Sequence, residues 1–272
     1  MQCTQCNGTG WIAVERFGTQ GVQPCVCRKE RMLRYRMQHA RIPPRFMDAD
    51  FETFQPITDA QTYALEIAQQ FADTYPEVES GLFFVGPTGV GKTHLMVAIL
   101  KSLMQQDIPV LFWDCNDLLT QLRRSYSRET SFSESDLIQP LLDVEVLALD
   151  DLGAHRASEW VFDVLFSIIN YRYNHKKCLL VTSNLWKPGA PQEVHRLLVQ
   201  HLSQRVYSRL AEMCLIVVIE GPDYRVEIRQ PTWQQTRGTG EGQKVLPVES
   251  SESTSLRPQG LMPIEWPEKE EK

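Results

Sequence analysis

The chain has 272 residues, of which 42% are hydrophobic and 23% are charged, and its formal net charge is −6. These proportions are typical of a globular protein. They argue against a membrane protein, because no apolar run approaches the roughly 18 residues of a membrane span, and the acidic balance argues against a protein coated in nucleic acid. The first residues lack the basic and apolar segments of a secretory signal, so we expect a cytoplasmic protein with reduced thiols.

Residues 1–27 contain four cysteines arranged as two pairs. Cys3 and Cys6 form C-x₂-C, and after eighteen further residues Cys25 and Cys27 form C-x-C. Four thiolates at such spacing favour tetrahedral Zn²⁺, and we predict a small zinc-binding module whose metal is structural. The second pair is closer than usual, which leaves free or redox-active thiols as the alternative. So small a module is more plausibly a docking element than an enzyme.

Residues 28–58 combine a basic helical pattern with an extended linker. The helix is predicted over 28–39, and the two prolines of "RIPPRF" end it. We expect this helix and the cysteine module to dock on a protein partner. Direct DNA contact is the competing interpretation, because charged and aromatic side chains suited to phosphates and bases lie together on the helix, namely Arg31, Arg34, Tyr35 and Arg36.

Helical and strand-like patterns alternate between residues 59 and 230. Strands are predicted at 81–85, 109–113, 145–149, 178–182 and 214–219, and helices at 59–75, 92–104, 115–125, 157–174 and 191–212. This alternation predicts an α/β fold with a mainly parallel five-stranded sheet. Residues 231–272 are polar and rich in Gly, Ser, Thr and Pro, so we predict a disordered tail and no helical lid domain after the sheet.

The stretch "GPTGVGKT" fits the phosphate-loop pattern G-x-x-x-x-G-K-[ST] between a predicted strand and a predicted helix. Backbone N–H groups in such a loop converge on phosphate oxygens at a helix N-terminus. We expect Lys92 to reach the β- and γ-phosphates of ATP and Thr93 to hold Mg²⁺. The predicted nucleotide-binding residues are Gly86, Pro87, Thr88, Gly89, Val90, Gly91, Lys92, Thr93 and His94.

Two later strands end in polar residues suited to phosphate chemistry. In "EVLALDDLG", Asp150 is expected to hold Mg²⁺ and Asp151 to orient or deprotonate an attacking water. The alternative is that Asp151 only caps the turn before Gly153. In "CLLVTSN", Asn184 is placed to sense the γ-phosphate and hold the water, although Asn is also a common turn residue.

The order of "GPTGVGKT", "LALDDLG", "TSN" and "QRVYSRL" resembles the AAA+ ATPases, and among them the DnaC/DnaI/IstB group of helicase loaders and transposition helpers. "RIPPRF", "FETF" and "IEGPDYR" resemble segments of the same group, so the likeness covers about residues 40–228. The resemblance implies an AAA+ P-loop NTPase domain over 59–230, with Asn184 as sensor 1. It also implies a homo-oligomer in which Arg209 is an arginine finger reaching a neighbouring subunit; a solvated or salt-bridged arginine is the alternative.

Two features depart from the group or leave its role open. Many AAA+ ATPases have Glu where this chain has Asp151, and the shorter side chain is expected to slow hydrolysis or hold the water differently. In initiator and loader ATPases an extra helix after the second strand lines a central channel. Here Arg123, Arg124 and Tyr126 offer charges and an aromatic ring for single-stranded DNA, while a solvated helix followed by a polar loop is the alternative.

The resemblance implies an ATPase that assembles with or remodels a replicative helicase on single-stranded DNA during DNA replication. A transposition helper that recruits a transposase is the alternative within the same fold. An ATP-dependent binding switch with little hydrolysis is the alternative from another class.

Overall fold

The computed structural model of the chain describes residues 3–16, 19–78, 80–125, 133–154, 158–187 and 191–228. Residues Met1–Gln230 form one unit. The second unit, Pro231–Lys272, coincides with the predicted tail and lies outside the described residues. No helix in these described ranges is both long and apolar enough to cross a membrane.

The amino-terminal part is a hairpin followed by a mostly exposed helix. Strand β1 (Trp11–Arg16) pairs with β2 (Thr19–Pro24) in antiparallel register. Helix α1 (Val26–His39) begins directly after Cys25, which places the second cysteine pair at the start of the helix. Only Met37 of α1 is buried, so most of the helix surface faces solvent. A single 3-10 turn, Pro44–Phe46, follows in the linker.

Helices and strands then alternate around one sheet, and the fold class predicted from the sequence is confirmed. The sheet has five parallel strands in the order β4-β5-β6-β3-β7. The elements are α2 (Asp59–Thr74), β3 (Gly81–Val85), α3 (Lys92–Gln105), β4 (Val110–Asp114), α4 (Cys115–Ser125), α5 (Glu134–Asp143), β5 (Val146–Asp150), α6 (Glu159–Asn174), β6 (Cys178–Ser183), α7 (Pro191–Leu202), α8 (Gln204–Met213) and β7 (Cys214–Val218).

Both faces of the sheet are covered, because successive strand residues point to opposite sides. Phe84 packs on one side with Leu95 and Ile99 of α3, and Phe83 packs on the other with Leu165 of α6. All strands of the sheet run in the same direction, so the loops after β3, β5 and β6 emerge at a single edge. The fold therefore brings the three sequence motifs together at that edge.

The structure divides one predicted helix and contains one helix that was not predicted. The single helix predicted over 191–212 is divided into α7 and α8 at Ser203, whose φ of 71° is incompatible with a continuing helix. The Ser203 hydroxyl instead accepts a hydrogen bond from the Val206 N–H at 3.5 Å and begins α8. Helix α5 was not predicted, and it begins with a capping box in which Ser133 and Asp136 bond each other's backbone N–H groups.

A fully buried arginine joins three elements beneath the sheet. Arg172 of α6 donates from Nη1 to the carbonyl oxygens of Leu141 (2.8 Å) and Val144 (2.9 Å). Its Nη2 donates to the carbonyls of Glu145 (2.7 Å) and Cys178. Burial lowers the pKa of Arg172 to about 10. The guanidinium thus satisfies carbonyls at the end of α5 and at the starts of β5 and β6.

We predict that Arg172→Met lowers the free energy of unfolding by about 2–4 kcal/mol. The substitution leaves several buried carbonyl oxygens without a donor, and each costs about 1–3 kcal/mol, offset in part by removal of a buried charge. Urea denaturation measures the change. Arg196→Met, on the exposed surface of α7, is the control and should change stability by less than about 0.5 kcal/mol. Equal unfolding midpoints for the two variants would contradict the structural role of Arg172.

Candidate functional site

A cavity of about 940 Å³ opens at the sheet edge where β3, β5 and β6 end. Its floor is the loop between β3 and α3, which includes the predicted residues Thr88 to His94. Its other walls are the ends of β4, β5 and β6, the linker before α2, and the segment after β7. The size is suitable for a nucleotide-sized ligand. The predicted nucleotide-binding, magnesium and water-positioning residues therefore meet around one opening.

Two glycines give the loop its curvature and its bare surface. Gly89 has φ 84° and Gly91 has φ 103°, both in the left-handed region that favours glycine. A Cβ on Gly91 would lie 2.4 Å from the ring of Phe54, and a Cβ on Gly89 would lie 1.9 Å from a carboxylate oxygen of Asp223. Any side chain at either position would displace a neighbour that packs directly on the loop.

Lys92 is a buried cation that contacts neutral oxygens. The residue is 6% exposed, and its Nζ donates to the carbonyls of Gly86 (2.8 Å) and Pro87 (2.6 Å) and to Oδ1 of Asn184 (2.6 Å). Burial lowers the pKa of Lys92 to about 8. Across the described residues the ammonium forms no ion pair with a carboxylate. The site therefore fits an anionic ligand such as a polyphosphate, which would pair directly with the ammonium.

Thr93 and Asp150 form a pair of hard oxygen donors beside Lys92. The Thr93 hydroxyl lies 2.9 and 3.2 Å from the two carboxylate oxygens of Asp150, and the Thr182 hydroxyl donates to the same carboxylate at 2.6 Å. Burial raises the pKa of Asp150 above its usual range, because the charged form is desolvated. A hydroxyl and a carboxylate in contact with the cavity fit the ligand preference of Mg²⁺.

Asp151 faces the cavity although it directly follows Asp150 in the chain. Its φ of 56° interrupts the alternation of the strand, so both carboxylates line the same opening. Asn184 donates from Nδ2 to Oδ1 of Asp151 while its own Oδ1 accepts from Lys92. Burial, followed by the nearby Asp114 carboxylate, raises the pKa of Asp151. Asn184 therefore links the buried cation to the carboxylate predicted to act on water.

Several lining residues were not assigned to the site from the sequence. Asp114 ends β4 directly beside Asp150, and its position at a strand end was the available signal. Arg225 also lines the cavity and contributes to the electrostatic environment of Lys92 and Asp151. The segment "IEGPDYR" suggested Arg225 as a nucleotide contact only weakly, because no motif placed it against the loop.

The segment after β7 and the start of α2 both hold the phosphate loop. The Tyr224 N–H donates to the Gly89 carbonyl at 3.2 Å. Gln61 is 3% exposed; its Nε2 donates to the Val90 carbonyl at 3.1 Å, and its Oε1 accepts from the backbone N–H groups of Ile57 and Thr58. The capping-box position of Gln61 was readable in the sequence, but its second contact was not.

His94 connects the loop helix to the linker. Its Nε2 lies 2.8 Å from the Asp50 carbonyl, and its ring contacts Phe54 with a centroid separation of 5.4 Å. His94 lines the cavity, as predicted for the nucleotide-binding set, and also anchors the linker that packs on Gly91.

Arg209 lies apart from the cavity lined by Lys92. It is half-buried on α8, where Nε donates to Oδ1 of Asn170 at 2.7 Å and Nη1 donates to the Arg205 carbonyl at 3.3 Å. Arg209 is absent from the described residues that line the cavity. The chain therefore does not bring this arginine to its own phosphate loop.

Two of the predicted DNA contacts, Arg123 and Arg124, lie on α4 and do not line the cavity. Arg123 and Arg124 occupy the exposed last turn of α4, and the Arg123 guanidinium lies 4.9 Å from the centroid of the Trp160 ring. Tyr126 lies outside the described residues. The structure does not test the predicted DNA contact, which remains a prediction.

The four predicted zinc ligands come together at the amino terminus. The sulfur atoms of Cys3, Cys6, Cys25 and Cys27 all lie within 4.8 Å of one another. The Cys3–Cys25 and Cys6–Cys27 separations are 3.8 and 3.4 Å, near the roughly 3.8 Å expected for sulfurs bound to one tetrahedral zinc at about 2.3 Å each. The cluster fits one zinc ion by ligand type, number and spacing.

Comparisons with known proteins agree with this geometry. A family model described as IstB-like ATP binding protein matches residues 3–232. The phage-like element PBSX protein XkdC of Bacillus subtilis is 25% identical over 241 residues, covering 84% of this chain and 85% of that protein. The replicative helicase loader DnaC of Buchnera aphidicola subsp. Schizaphis graminum is 26% identical over 185 residues, covering 68% of this chain and 72% of that protein.

A solved structure of the DnaC helicase loader is also similar. It is 33% identical, with a TM-score of 0.60, and the alignment covers 65% of this chain and 100% of that chain. The match of the family model spans most of the sequence, including the cysteine cluster and the phosphate loop. The chain therefore belongs to the IstB-like ATP-binding protein family.

Proposed function

We propose that this protein is a helicase-loader-type ATPase that assembles with or remodels a replicative helicase on single-stranded DNA during DNA replication. The observation that carries the proposal is the arrangement at one sheet edge of a buried cation, a hydroxyl–carboxylate pair and a linked carboxylate–amide pair. Similarity to proteins named replicative helicase loader DnaC and DnaC helicase loader supports the choice of a helicase as the partner.

In the proposed reaction Lys92 holds the phosphates of ATP. Its ammonium exchanges neutral carbonyl acceptors for phosphate oxygens, which are charged and therefore form stronger hydrogen bonds. Thr93 and Asp150 hold Mg²⁺, which when bound neutralises charge on the phosphate oxygens. Gly89 and Gly91 keep the loop surface open to those oxygens.

Asp151 and Asn184 act on the attacking water. The Asp151 carboxylate orients the water and accepts its proton, and the Asn184 amide fixes the orientation of that carboxylate. The raised pKa of Asp151 makes it a better proton acceptor than an ordinary surface aspartate. Its side chain is one methylene shorter than glutamate, so the water must approach closer to the strand end.

Arg209 completes the site of a neighbouring subunit in this proposal. It is absent from the described lining of the cavity in its own chain, so a role in catalysis requires a second copy. A cation supplied in trans stabilises charge on the γ-phosphate during transfer. Hydrolysis then depends on assembly of a homo-oligomer.

The cysteine module, residues 1–27, and the basic helix over 28–39 serve as the docking arm, and Zn²⁺ would stabilise the module. Helix α1 buries only Met37 and leaves apolar side chains exposed, among them Met32 (48% exposed) and Tyr35 (58% exposed). Exposed apolar groups on a mostly exposed helix are typical of a protein interface. Arg123 and Arg124 of α4, together with Tyr126, are the proposed contacts from the ATPase domain 59–230 to single-stranded DNA.

Two other functions remain alternatives. The family description favours an IstB-like transposition helper as the second candidate, in which the partner is a transposase rather than a helicase. A binding switch that scarcely hydrolyses ATP is the third, and the aspartate at position 151 is the residue that motivates it.

We predict that Lys92→Ala raises the Kd for ATP by at least about 100-fold, because several charge-assisted hydrogen bonds to phosphate are lost. Asp151→Asn should bind ATP within about threefold of wild type and lose about 100-fold in turnover, because the carboxylate acts only in the chemical step. Fluorescent-nucleotide titration and phosphate release measure the two effects.

Asp117→Asn is the matched control for Asp151→Asn, since Asp117 lines the same cavity on the α4 side. It should keep near-normal turnover. Wild-type hydrolysis by Asp151→Asn would remove that residue from the mechanism, and negligible turnover by the unmodified protein with and without single-stranded DNA would favour the binding switch.

We predict one zinc ion per chain in protein purified under reducing, chelator-free conditions. Replacing Cys3 and Cys6 together by Ser should release the metal but keep ATP binding, because the cysteine cluster and the cavity share no lining residue in the described chain. Elemental analysis and nucleotide titration are the measurements. Cys178→Ala, which removes a thiol outside the cluster, is the control and should retain zinc. A metal-free wild-type preparation would overturn the zinc assignment.

We predict that the protein co-elutes with a bacterial replicative helicase in the presence of ATP. The interaction should weaken at least about tenfold when Cys3 and Cys6 are replaced by Ser, since the docking arm loses its fold. Size-exclusion chromatography with light scattering measures the complex. Association with a transposase and not with a helicase would instead support the transposition helper.

A further inference from the structure

The Arg209 guanidinium is fixed by one face of α6. Its Nε donates to Oδ1 of Asn170 at 2.7 Å, and its central carbon lies 4.6 Å from the ring centroid of Phe166 and 5.6 Å from that of Tyr173. The Nη1 group also donates to the Arg205 carbonyl one turn earlier on α8. Two helices thus hold a side chain that would otherwise sample many rotamers.

One donor group of the Arg209 guanidinium has no hydrogen-bond acceptor among the described residues. An arginine side chain has five N–H donors in a planar fork. Asn170 occupies Nε and the Arg205 carbonyl occupies Nη1, while Nη2 has no hydrogen-bond acceptor among the described residues. Nη2 is therefore the donor group that an anion on another molecule would accept from.

The chemical type of the acceptor is as significant as its position. Asn170 is neutral, so its amide oxygen orients the guanidinium without cancelling its charge. A carboxylate at the same place would form an ion pair and weaken the attraction of Arg209 for a phosphate. The rings of Phe166 and Tyr173 also orient the guanidinium without neutralising its charge, because aromatic faces attract a cation but carry no net charge.

We infer that Asn170 is a positioning residue for the trans arginine, holding Arg209 in a fixed orientation, without an ion pair among the described residues, before a neighbouring subunit's nucleotide site arrives. The inference rests on the proposed function, in which Arg209 completes the site of a neighbour. A preordered cation loses less conformational freedom on assembly, and small errors in its placement reduce transition-state stabilisation.

Two substitutions of Asn170 separate the loss of the hydrogen-bond acceptor from the addition of a negative charge beside Arg209. Asn170→Leu removes the acceptor at similar volume, and we expect kcat to fall about tenfold, against about 10³-fold for Arg209→Ala. Asn170→Asp keeps the acceptor and the packing but adds a negative charge, and we expect kcat to fall by at least as much as in Asn170→Leu. Both variants should keep the wild-type KM for ATP, since neither alters the cavity of its own chain.

Mixing of variants tests whether Asn170 acts on a neighbour. Lys92→Ala subunits cannot bind ATP but carry an intact Arg209–Asn170 pair, so adding them to Asn170→Leu or to Arg209→Ala should restore part of the turnover in each case. Asn174→Leu is the matched control, because Asn174 lies one turn along α6 on the same face and is exposed. It should hydrolyse ATP at the wild-type rate.

The outcomes separate this inference from the proposed function. If Arg209→Ala hydrolyses ATP normally, or stays inactive when mixed with Lys92→Ala, the trans arginine fails and Asn170 loses its role with it. If Arg209→Ala is rescued but Asn170→Leu is not, Asn170 acts within its own chain and the inference is wrong. Wild-type turnover by a folded Asn170→Leu or by Asn170→Asp also overturns it. Thermal melting identifies a variant that fails to fold, and Asn170→Asp then remains the deciding measurement.

Discussion

The site is organised around the burial of one ammonium group without a carboxylate partner. Lys92 is almost fully enclosed, and its Nζ is held by two loop carbonyls and the Asn184 amide. A buried charge is costly unless its hydrogen bonds are satisfied. Here neutral oxygens satisfy the bonds, while the Asp150 and Asp151 carboxylates act on the charge from a greater distance. The loop, the strand ends and Asn184 must therefore be positioned together, and an anionic ligand would pair directly with the ammonium.

The loop that encloses this cation is supported from both sides by segments distant in sequence. Phe54 of the linker packs on Gly91, and Asp223 after β7 packs on Gly89. Gln61 connects the start of α2 to the Val90 carbonyl, and the Thr58 hydroxyl donates to the Glu220 carbonyl at 2.7 Å. The segments before α2 and after β7 thus meet at the phosphate loop. Movement of either segment on docking or assembly would reach the nucleotide site directly, without a long pathway through the core.

Much of the fold and of the candidate site was readable in the sequence, because both depend on local patterns. Apolar runs such as "GLFFV" predicted the strands. A parallel sheet then places the motifs that follow its strands at one edge. What the sequence concealed depends on backbone conformation and on contacts between distant residues. The positive φ of Ser203 divides a continuous helical pattern, and the carbonyls that surround Arg172 come from three elements. The contact between Asp223 and Gly89 spans more than half the ATPase domain, so no short pattern encodes it.

In the proposed mechanism, the placement of two arginines couples hydrolysis to assembly. Arg225 lines the cavity of its own chain, where it affects the environments of Lys92 and Asp151, so it is present in every folded monomer. Arg209 is held by α6, away from that cavity, and in the proposed mechanism it meets a nucleotide only across a subunit boundary. If Arg209 instead lined its own cavity, hydrolysis would run in isolated subunits and release the energy without a partner. In the proposed mechanism, separating the cations between two chains makes the assembled state the one in which the energy of ATP is used.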